Sequence, residues 1–386
     1  MWYASKTIKI APVVKDFQKC IEMTFMNCIM RRILLICPAL PDDMPYLRQY
    51  LDYFEACNIL YDVTYLDRGG ENIPYPSNYY PFSLSLPSRT TLRKLIGYYK
   101  YSRFVKRKLS RGNYSHVITM GIACSVFFSH FLKKNFESKY IFDIRDYSQI
   151  LRIPLFRKLN RILLKHSYMN VISSNAFRNW LPSEMDYTLS HNITKENLDK
   201  GTMYSKTINF AEPIKILTIG QIRDLETNLY VIDQLSDNDK YELIFSGKGR
   251  ILEYLETVVR ERGYQNVKFT GKYMKEEEDG IAEGATFLNV CMGRNMISDY
   301  LLSNRLYLAT RMKNPLISLD GCYQAEIINN YNLGLVVTRG NNLSVSIEEY
   351  IRTFDANLFL DGCERFLNDV RADVERFNMK MDAFVS

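Results

Sequence analysis

Between Lys215 and Val337 the chain repeats a short apolar strand, a loop and a helix four times in succession. The predicted strands are 215–220, 241–247, 266–271 and 286–293, followed by a fifth at 314–318. Each strand ends in glycine or another small or polar residue. Short apolar runs of this kind are typical of buried parallel strands whose carboxyl ends open onto a ligand crevice. The sequence therefore predicts a doubly wound α/β domain in this half.

The first half of the chain shows the same alternation. Its predicted strands are 33–37, 62–67, 116–121, 140–146, 170–174 and 187–193. Strands that alternate with helices favour βαβ units and a parallel sheet. The predicted fold class is α/β, with two Rossmann-like domains facing each other across a cleft. We also expect the C-terminal helix to pack back on the first domain.

Changes in composition divide the chain into five segments. An accessory N-terminal helix is expected at 1–30 and a first Rossmann-like domain at 31–195. A polar linker without clear periodicity covers 196–213, and the second Rossmann-like domain covers 214–363. The final segment, 364–386, has an apolar stripe at helical spacing and predicts an amphipathic helix.

Composition excludes several classes of protein. No stretch approaches the roughly 18 apolar residues that a membrane-spanning helix needs, and the N-terminus lacks the order of a signal peptide. We therefore expect a cytoplasmic protein. The eight cysteines form no C-x-x-C pair and the four histidines form no H-x-x-x-H pair, so no metal site is expected.

Positive charge is concentrated in the first half. Basic residues outnumber acidic ones about two to one in 1–210, although the whole chain carries only +7. The basic runs Arg103–Arg111 and Leu151–His166 contain one aromatic residue each, too few to form the interleaved aromatic platform of a single-strand binding protein, so nucleic acid is not an expected partner. The second run mixes Leu, Ile and Phe with cations. It fits either an ordinary amphipathic helix or a helix at a membrane surface.

Glycines and cations follow the first two strands of the second domain. Gly220 and Arg223 stand in TIGQIRD, and Gly247 and Lys248 stand in FSGKGR. Glycine allows close backbone approach, and the loop after the first strand of such a sheet favours phosphate. These four residues are candidate phosphate ligands, or else ordinary turn residues. The absence of G-x-G-x-x-G disfavours NAD and FAD.

A second group of candidates lies further along the chain. The helix predicted from Ser303 carries Asn304 and Arg305 at its start, where an anion is favoured. Gln324 and Glu326 would begin the next helix, where a carboxylate can bind hydroxyl groups. The alternative is that Ser303 and Glu326 only cap their helices.

Carboxylates at strand ends are candidate general bases. Asp146 ends the strand 140–146, and Asp43 follows the first strand of the chain. A hydroxyl nucleophile needs a base within hydrogen-bond reach. Asp146 is the first choice and Asp43 the second, and both also fit a turn or a helix cap.

Five runs together carry a resemblance. The sequence has G-x-I-R, F-S-G-K-G-R, N-V-K-F-T-G-K-Y, S-N-R-L-Y-L-A-x-x-x-K-N-P-L-I-S and E-I-I-x-x-Y-N-L-G-L-V-V in this order. They are similar to the donor half of GT-B glycosyltransferases, particularly bacterial enzymes that assemble capsular or other surface polysaccharides. The resemblance covers about 214–338. The first half is similar to the acceptor domain of these enzymes in layout and in the segment DIRDYS.

The resemblance implies a function and a site. A nucleotide-diphosphate sugar would lie against the second domain, with its diphosphate at Gly220, Arg223, Lys248 and Arg305. The first domain would face the acceptor, a lipid-linked glycan, and the protein would be peripheral to the inner face of the membrane. Members of this fold generally need no metal, and no cofactor beyond the donor is implied.

One departure from the family pattern concerns the ribose. Many retaining members carry two glutamates seven residues apart near this helix, whereas here the second position is Leu308 and the first falls near Tyr300. Glu326 is the nearest remaining carboxylate, and the retaining or inverting outcome stays open. The donor sugar, its base, the linkage and the oligomeric state also stay open. Two alternatives share the architecture: a sugar-nucleotide 2-epimerase, and a sugar-binding protein without catalysis.

Overall fold

The computed structural model describes residues 32–69, 73–84 and 91–386. The accessory helix expected at 1–30 lies outside the described residues. Among the described residues, no helix is both long and apolar enough to cross a bilayer.

The described chain packs into two units that do not follow a single cut in the sequence. The first unit contains the residues up to Asp143, together with Ile150–Asn170 and Asp382–Ser386. The second unit contains Ile144–Gln149 and Val171–Met381. The domain limits expected from composition stay a prediction.

The first sheet has seven strands in the order β3-β2-β1-β4-β5-β6-β7. They are β1 (Arg32–Cys37), β2 (Leu60–Asp67), β3 (Tyr79–Ser83), β4 (His116–Met120), β5 (Tyr140–Ile144), β6 (Met169–Ile172) and β7 (Thr188–Leu189). In parallel register, Leu35 of β1 lies between Val63 of β2 and Ile118 of β4. All three residues are fully buried, so apolar side chains fix this register.

The second sheet has six strands in the order β10-β9-β8-β11-β12-β13. They are β8 (Ile214–Gln221), β9 (Tyr241–Lys248), β10 (Val267–Gly271), β11 (Phe287–Asn289), β12 (Leu316–Leu319) and β13 (Gly334–Val337). Every neighbouring pair is parallel. The chain moves outward from β8 in one direction and then returns to its other side at β11. This reversal is the switch point at which doubly wound sheets bind ligands.

The sheets are connected and covered by helices. The α-helices are α1 (Leu47–Ala56), α2 (Thr91–Arg111), α3 (Ile122–Ser125), α4 (Ser129–Asn135), α5 (Pro154–His166), α6 (Lys195–Met203), α7 (Leu225–Leu235), α8 (Leu252–Arg262), α9 (Glu278–Glu283), α10 (Asn304–Arg311), α11 (Tyr323–Tyr331), α12 (Leu343–Arg352) and α13 (Ala356–Val385). Short 3-10 helices occur at Pro41–Asp43, Val126–Phe128, Gln149–Arg152, Asn175–Asn179 and Lys275–Glu277.

The core of the second unit lies on both faces of its sheet. Along β8, Leu217 and Ile219 join one buried cluster, whereas Ile214 and Ile216 join the other. Side chains alternate between the faces of a strand, so a strand covered on both faces needs apolar residues at successive positions. This explains why the strands of this half are nearly continuous apolar runs.

Glycine is required where β8 and β9 end. Gly220 pairs with Gly247 in the parallel register, and both have positive φ, +89° and +139°. A Cβ on Gly247 would lie 2.0 Å from the carbonyl oxygen of Gly220. Farther on, a Cβ on Gly249 would lie 1.9 Å from the carbonyl oxygen of Ile222. The two strand ends are therefore closer than any side chain would allow.

The final helix is longer than the sequence predicted. It begins at Ala356 rather than near 364, and Gly362 allows its early turns to approach α11, because a Cβ there would lie 1.7 Å from the carbonyl oxygen of Tyr331. The end of the helix belongs to the first unit, as expected. There the ring of Phe384 packs against the ring of His116 at 4.6 Å.

Two further elements differ from the sequence-based expectation. The four prolines of the segment 71–90 predict an irregular loop, but the segment contains β3, which pairs with β2 at the edge of the sheet. Proline is compatible with an edge strand because one side of that strand makes no ladder. The linker expected at 196–213 begins with helix α6, in which Thr194 accepts a hydrogen bond from the Asn197 backbone and Leu198 is buried.

We expect Gly247→Ala to lower the free energy of unfolding by about 1–3 kcal/mol, because the methyl group meets a backbone oxygen and the backbone has positive φ. Gly280→Ala is the matched control, since a Cβ at Gly280 meets nothing within 4 Å and alanine favours a helix. Urea unfolding of both variants checks this. Equal stability of the two variants would contradict the close approach of β8 and β9.

Candidate functional site

The guanidinium of Arg305 lies at the switch point of the second sheet. Its Nε donates to the carbonyl oxygen of Ile219 at 2.5 Å and its Nη2 to that of Gln221 at 3.0 Å, both at the end of β8. Its Nη1 donates to the carbonyl oxygen of Asn289, at the end of β11, at 3.4 Å. One side chain therefore joins the carboxyl ends of the two strands between which the sheet order reverses.

The start of α10 fixes the direction in which Arg305 leaves the backbone. The hydroxyl of Ser303 accepts a hydrogen bond from the Arg305 backbone N–H at 3.2 Å, the helix cap that the sequence left open. Gln324, which is fully buried, accepts from the Ser303 backbone and donates to the carbonyl oxygen of Val290. The side chain of Gln324 thus ties the starts of α10 and α11 to the end of β11, and its hydrogen bonds are structural.

Burial changes the acidity of Arg305 without removing its charge. Loss of hydration lowers the pKa of the guanidinium to about 10, and the neighbouring positive charge of Arg223 acts in the same direction. Tyr273 acts in the opposite direction. A group with this pKa is a cation at neutral pH, so the switch point carries a fixed positive charge. Such a charge favours an anionic ligand.

Asp146 and Arg223 lie near each other within the second unit. Asp146 is exposed as a residue, but neighbouring groups partly bury its carboxyl group. The resulting loss of hydration raises the pKa of this carboxyl group. The charges of Arg223 and Arg145 oppose the shift. Arg145 is itself held by Ser190, whose backbone carbonyl and hydroxyl oxygens both accept from it at 2.9 Å. The structure thus brings a carboxylate with a raised pKa close to the exposed Arg223.

The other expected ligands differ in exposure. Gly220 and Gly247 end neighbouring strands, and the exposed side chain of Lys248 follows directly. Asn304 is the exposed first residue of α10, and Glu326 is exposed in the first turn of α11. These positions leave the side chains of Lys248, Asn304 and Glu326 accessible to a ligand.

Asp43 belongs to the first unit. It is exposed at the end of the 3-10 helix Pro41–Asp43, where its backbone N–H bonds the carbonyl oxygen of Leu40. This is the turn that the sequence offered as the alternative to a catalytic role.

Sequence reasoning missed three residues at the switch point. Tyr273, the last residue of the run N-V-K-F-T-G-K-Y, lies 3.7 Å from a Cβ placed on Gly220 and donates to Glu278 at 3.2 Å. Asn289 donates to Thr218 and accepts from the Cys291 backbone, both at 2.9 Å. Asp224 caps α7 and also accepts from the Gly293 backbone. Asp224 and Tyr273 follow the predicted strands 215–220 and 266–271 by a few residues, which was the available signal, whereas Asn289 stands inside the strand predicted at 286–293 and gave none.

A buried histidine connects α10 with the final helix. His191 lies 2.8 Å from the hydroxyl of Tyr307 through Nδ1 and 2.9 Å from Asp373 through Nε2. An ionised carboxylate can only accept, so Nε2–H donates to Asp373, and Nδ1 shares the second hydrogen bond with the hydroxyl of Tyr307. Tyr307 is two residues after Arg305. The imidazole therefore restrains the helix that carries the cation of the switch point.

No protein-family model and no curated protein sequence matches the chain. Solved structures do match it. Sucrose-phosphate synthase from Thermosynechococcus elongatus has a TM-score of 0.66 and 14% identity, over 92% of this chain and 98% of that chain. The lipopolysaccharide outer core galactosyltransferase WaaB has a TM-score of 0.57 and 15% identity, over 91% and 99%. UDP-N-acetylglucosamine 2-epimerase from Rickettsia bellii has a TM-score of 0.58 and 13% identity, over 92% and 97%. Likeness at these identities shows the fold, which is GT-B as expected.

Asp373 should stabilise the folded chain in a pH-dependent way. Partial burial raises its pKa, but hydrogen bonds from His191 and Arg376 outweigh this effect, so the folded pKa lies below the usual value. The resulting stabilisation is complete above the unfolded pKa of about 3.9 and is lost as the pH falls through the folded pKa. We expect Asp373→Asn to cost about 1–3 kcal/mol at neutral pH and less below about pH 4.

Urea unfolding at several pH values measures this difference. Asp361→Asn, an exposed partner of Arg365 on the same helix, is the control and should change little at any pH. A cost for Asp373→Asn that stays constant down to the lowest pH would show that its carboxylate is not specifically bound.

Proposed function

We propose that the protein is a glycosyltransferase that moves a sugar from a nucleotide-diphosphate donor to a lipid-linked glycan during the assembly of a surface polysaccharide. The observation that carries the proposal is the cationic guanidinium of Arg305 at the switch point of a GT-B sheet. Likeness to a sucrose-phosphate synthase and to a lipopolysaccharide galactosyltransferase supports this choice of reaction.

The donor diphosphate would lie at the carboxyl edge of β8 and β9. Glycines at 220 and 247 allow phosphate oxygens to approach the backbone, while Arg223 and Lys248 are exposed beside them. Arg305 uses three of its five N–H donors on carbonyl oxygens of the described chain, which leaves two for a ligand. These cations would stabilise the negative charge that grows on the departing diphosphate.

Transfer forms a bond between the acceptor hydroxyl oxygen and the anomeric carbon, and breaks the bond from that carbon to the diphosphate oxygen. If the configuration inverts, the hydroxyl proton passes to a protein base. Asp146 is the favoured base because its raised pKa makes it a better proton acceptor than an ordinary aspartate. We expect the reaction to need no metal, as the resemblance implies.

The epimerase alternative is favoured by one observation, the likeness to UDP-N-acetylglucosamine 2-epimerase. An epimerase converts a free nucleotide sugar into its isomer without an acceptor. Incubation of the protein with the nucleotide sugar, with and without a glycan acceptor, separates the two functions. Release of the nucleoside diphosphate that depends on an added glycan acceptor supports transfer, and isomerisation of the nucleotide sugar supports the epimerase. Binding without either product supports the third alternative, a sugar-binding protein.

Arg223→Ala should weaken nucleoside diphosphate binding about 10–100-fold, the effect of removing a charge-assisted hydrogen bond worth about 1.5–3 kcal/mol. Thermal shifts with UDP-, GDP-, CMP- and dTDP-sugars first identify the nucleotide, because a ligand of the native state raises the melting temperature. Calorimetric titration of that nucleotide then gives the affinities of wild type and variant.

Arg305→Lys should also weaken binding, because an ammonium group cannot contact three carbonyl oxygens and a phosphate with the same geometry. Arg352→Ala is the control for both variants, since Arg352 is exposed at the end of α12 and pairs only locally with Glu349. Affinities of the Arg223 and Arg305 variants equal to that of the Arg352 control would reject the diphosphate site.

Asp146→Asn should lower turnover about 10²–10⁴-fold and remove the rise of activity with pH that reports a general base. That rise should lie above the usual range of an aspartate, because burial raises the pKa of Asp146. Initial rates against pH for wild type, Asp146→Asn and the exposed control Asp237→Asn measure this. Loss of the acid limb in Asp43→Asn instead would assign the base to Asp43, and an unchanged profile in both would argue against a carboxylate base.

A further inference from the structure

The first unit has an exposed apolar surface on two helices that also carry many cations. Four apolar residues of this surface are strongly exposed: Leu155 by 61%, Tyr99 by 53%, Ile96 by 45% and Ile153 by 44%. Two half-buried rings lie between them, those of Phe127 and Phe156. We call this set the docking patch: Ile96, Tyr99, Phe127, Ile153, Leu155 and Phe156.

Ring contacts show that the docking patch is continuous. Tyr99 of α2 meets Phe127 edge to face with ring centroids 6.4 Å apart. Phe127 in turn meets Phe156 of α5 at 5.7 Å. Ile153 and Leu155 flank α5 at its beginning, and Ile96 lies one helical turn before Tyr99. The 3-10 helix Val126–Phe128 therefore joins the exposed faces of two helices into one surface.

Packing among the described residues of the first unit does not explain this exposure. Helix α5 already has a buried face, formed by Leu163 and Leu164, and α2 has one formed by residues such as Tyr101 and Val105. The sequence allowed α5 to be an ordinary amphipathic helix, and its second half fits that reading. The beginning of α5 does not fit an ordinary amphipathic helix, because Leu155 is exposed to solvent while the next residue, Phe156, packs against Phe127. Contiguous exposed apolar surface marks an interaction site.

The charge on the segments that carry the docking patch selects the partner. Helices α2 and α5 contain no Asp or Glu. Exposed cations occur on both helices and just before α5, in the same segments that carry the apolar residues of the patch: Arg93, Lys94, Lys100, Arg103, Arg107, Arg152, Arg157, Lys158 and Arg161. A partner must therefore offer apolar volume and negative charge together, as the headgroup region of an anionic bilayer does.

Other partners fit less well. A second copy related by twofold symmetry would place the same cations opposite one another, because such an interface is isologous. A single-stranded nucleic acid would stack its bases on exposed aromatic rings, whereas the most exposed side chain here is the aliphatic Leu155. Tyr99 suits the membrane interface, where rings with one polar end are enriched.

We propose that the docking patch binds an anionic lipid surface, with Ile153 and Leu155 entering the boundary between headgroups and acyl chains and the arginines and lysines of the same segments binding lipid phosphates. As an explanation of how the chain reaches a lipid-linked acceptor, the proposal rests on the proposed function. Lipid binding itself is measured without donor or acceptor, so its failure and the failure of the transferase assignment are distinguishable.

The test uses the full chain and sedimentation with vesicles of phosphatidylcholine, with or without phosphatidylglycerol. We expect binding to the anionic vesicles, about tenfold weaker binding to the neutral ones, and release at high salt. The double variant Ile153→Ser with Leu155→Ser should lose about tenfold in binding to anionic vesicles. Arg157→Ala with Lys158→Ala should lose a similar amount, and mainly at low salt.

The control is Val345→Ser with Leu358→Ser, which removes two exposed apolar side chains from the second unit, 62% and 48% exposed. It should bind vesicles as wild type does. Equal binding of the two serine double variants, or no preference of wild type for anionic vesicles, would overturn the proposal. A concentration-dependent dimer that Ile153→Ser with Leu155→Ser abolishes would assign the patch to a second copy, and retention of single-stranded RNA by the patch instead of vesicles would assign it to nucleic acid.

Discussion

The parallel pairing of the second sheet is the constraint on which its chemistry depends. Parallel strands place all their carboxyl ends on one edge, and the return of the chain from β10 to the other side of β8 separates the helices that follow β8 and β11. An opening at that edge exposes strand-end carbonyl oxygens, which are partial negative charges. Arg305 neutralises three of them and leaves a net positive centre. The sheet fixes the position of a cation that is bound to main-chain groups, whereas a cation on a mobile surface side chain has no fixed position.

Much of this sheet could be predicted from sequence because burial on both faces leaves a strong local pattern. The strand expected at 241–247 was observed at Tyr241–Lys248, and the helix expected to start at Ser303 spans Asn304–Arg311. The elements that were not predicted occur where tertiary contacts override the local sequence pattern. An edge strand tolerates the proline at Pro81, and the polar helix α6 is held by the burial of Leu198. Gly362 disfavours a helix in the sequence, yet the close approach of the final helix to the carbonyl oxygen of Tyr331 requires a glycine at this position.

The site was only partly predictable. Cations and glycines after apolar strands identified the edge of the sheet, since strand ends meet there whatever the side-chain contacts. The contacts themselves join residues far apart in the chain, so no local pattern contains them. Gln324 was expected to meet a ligand, and its two hydrogen bonds tie backbone groups instead. His191 and Tyr307, separated by more than a hundred residues, act on the Arg305 helix through a contact that only the folded chain reveals.

The three carbonyl bonds of Arg305 have a further consequence for ligand recognition. An arginine that hangs free in solvent loses about 2 kcal/mol of rotamer entropy when a ligand immobilises it. Here folding has already removed that freedom, so an anion that binds at this position would meet a preorganised guanidinium whose remaining N–H groups point in fixed directions. Its recognition would then depend on the shape of the anion as well as on its charge.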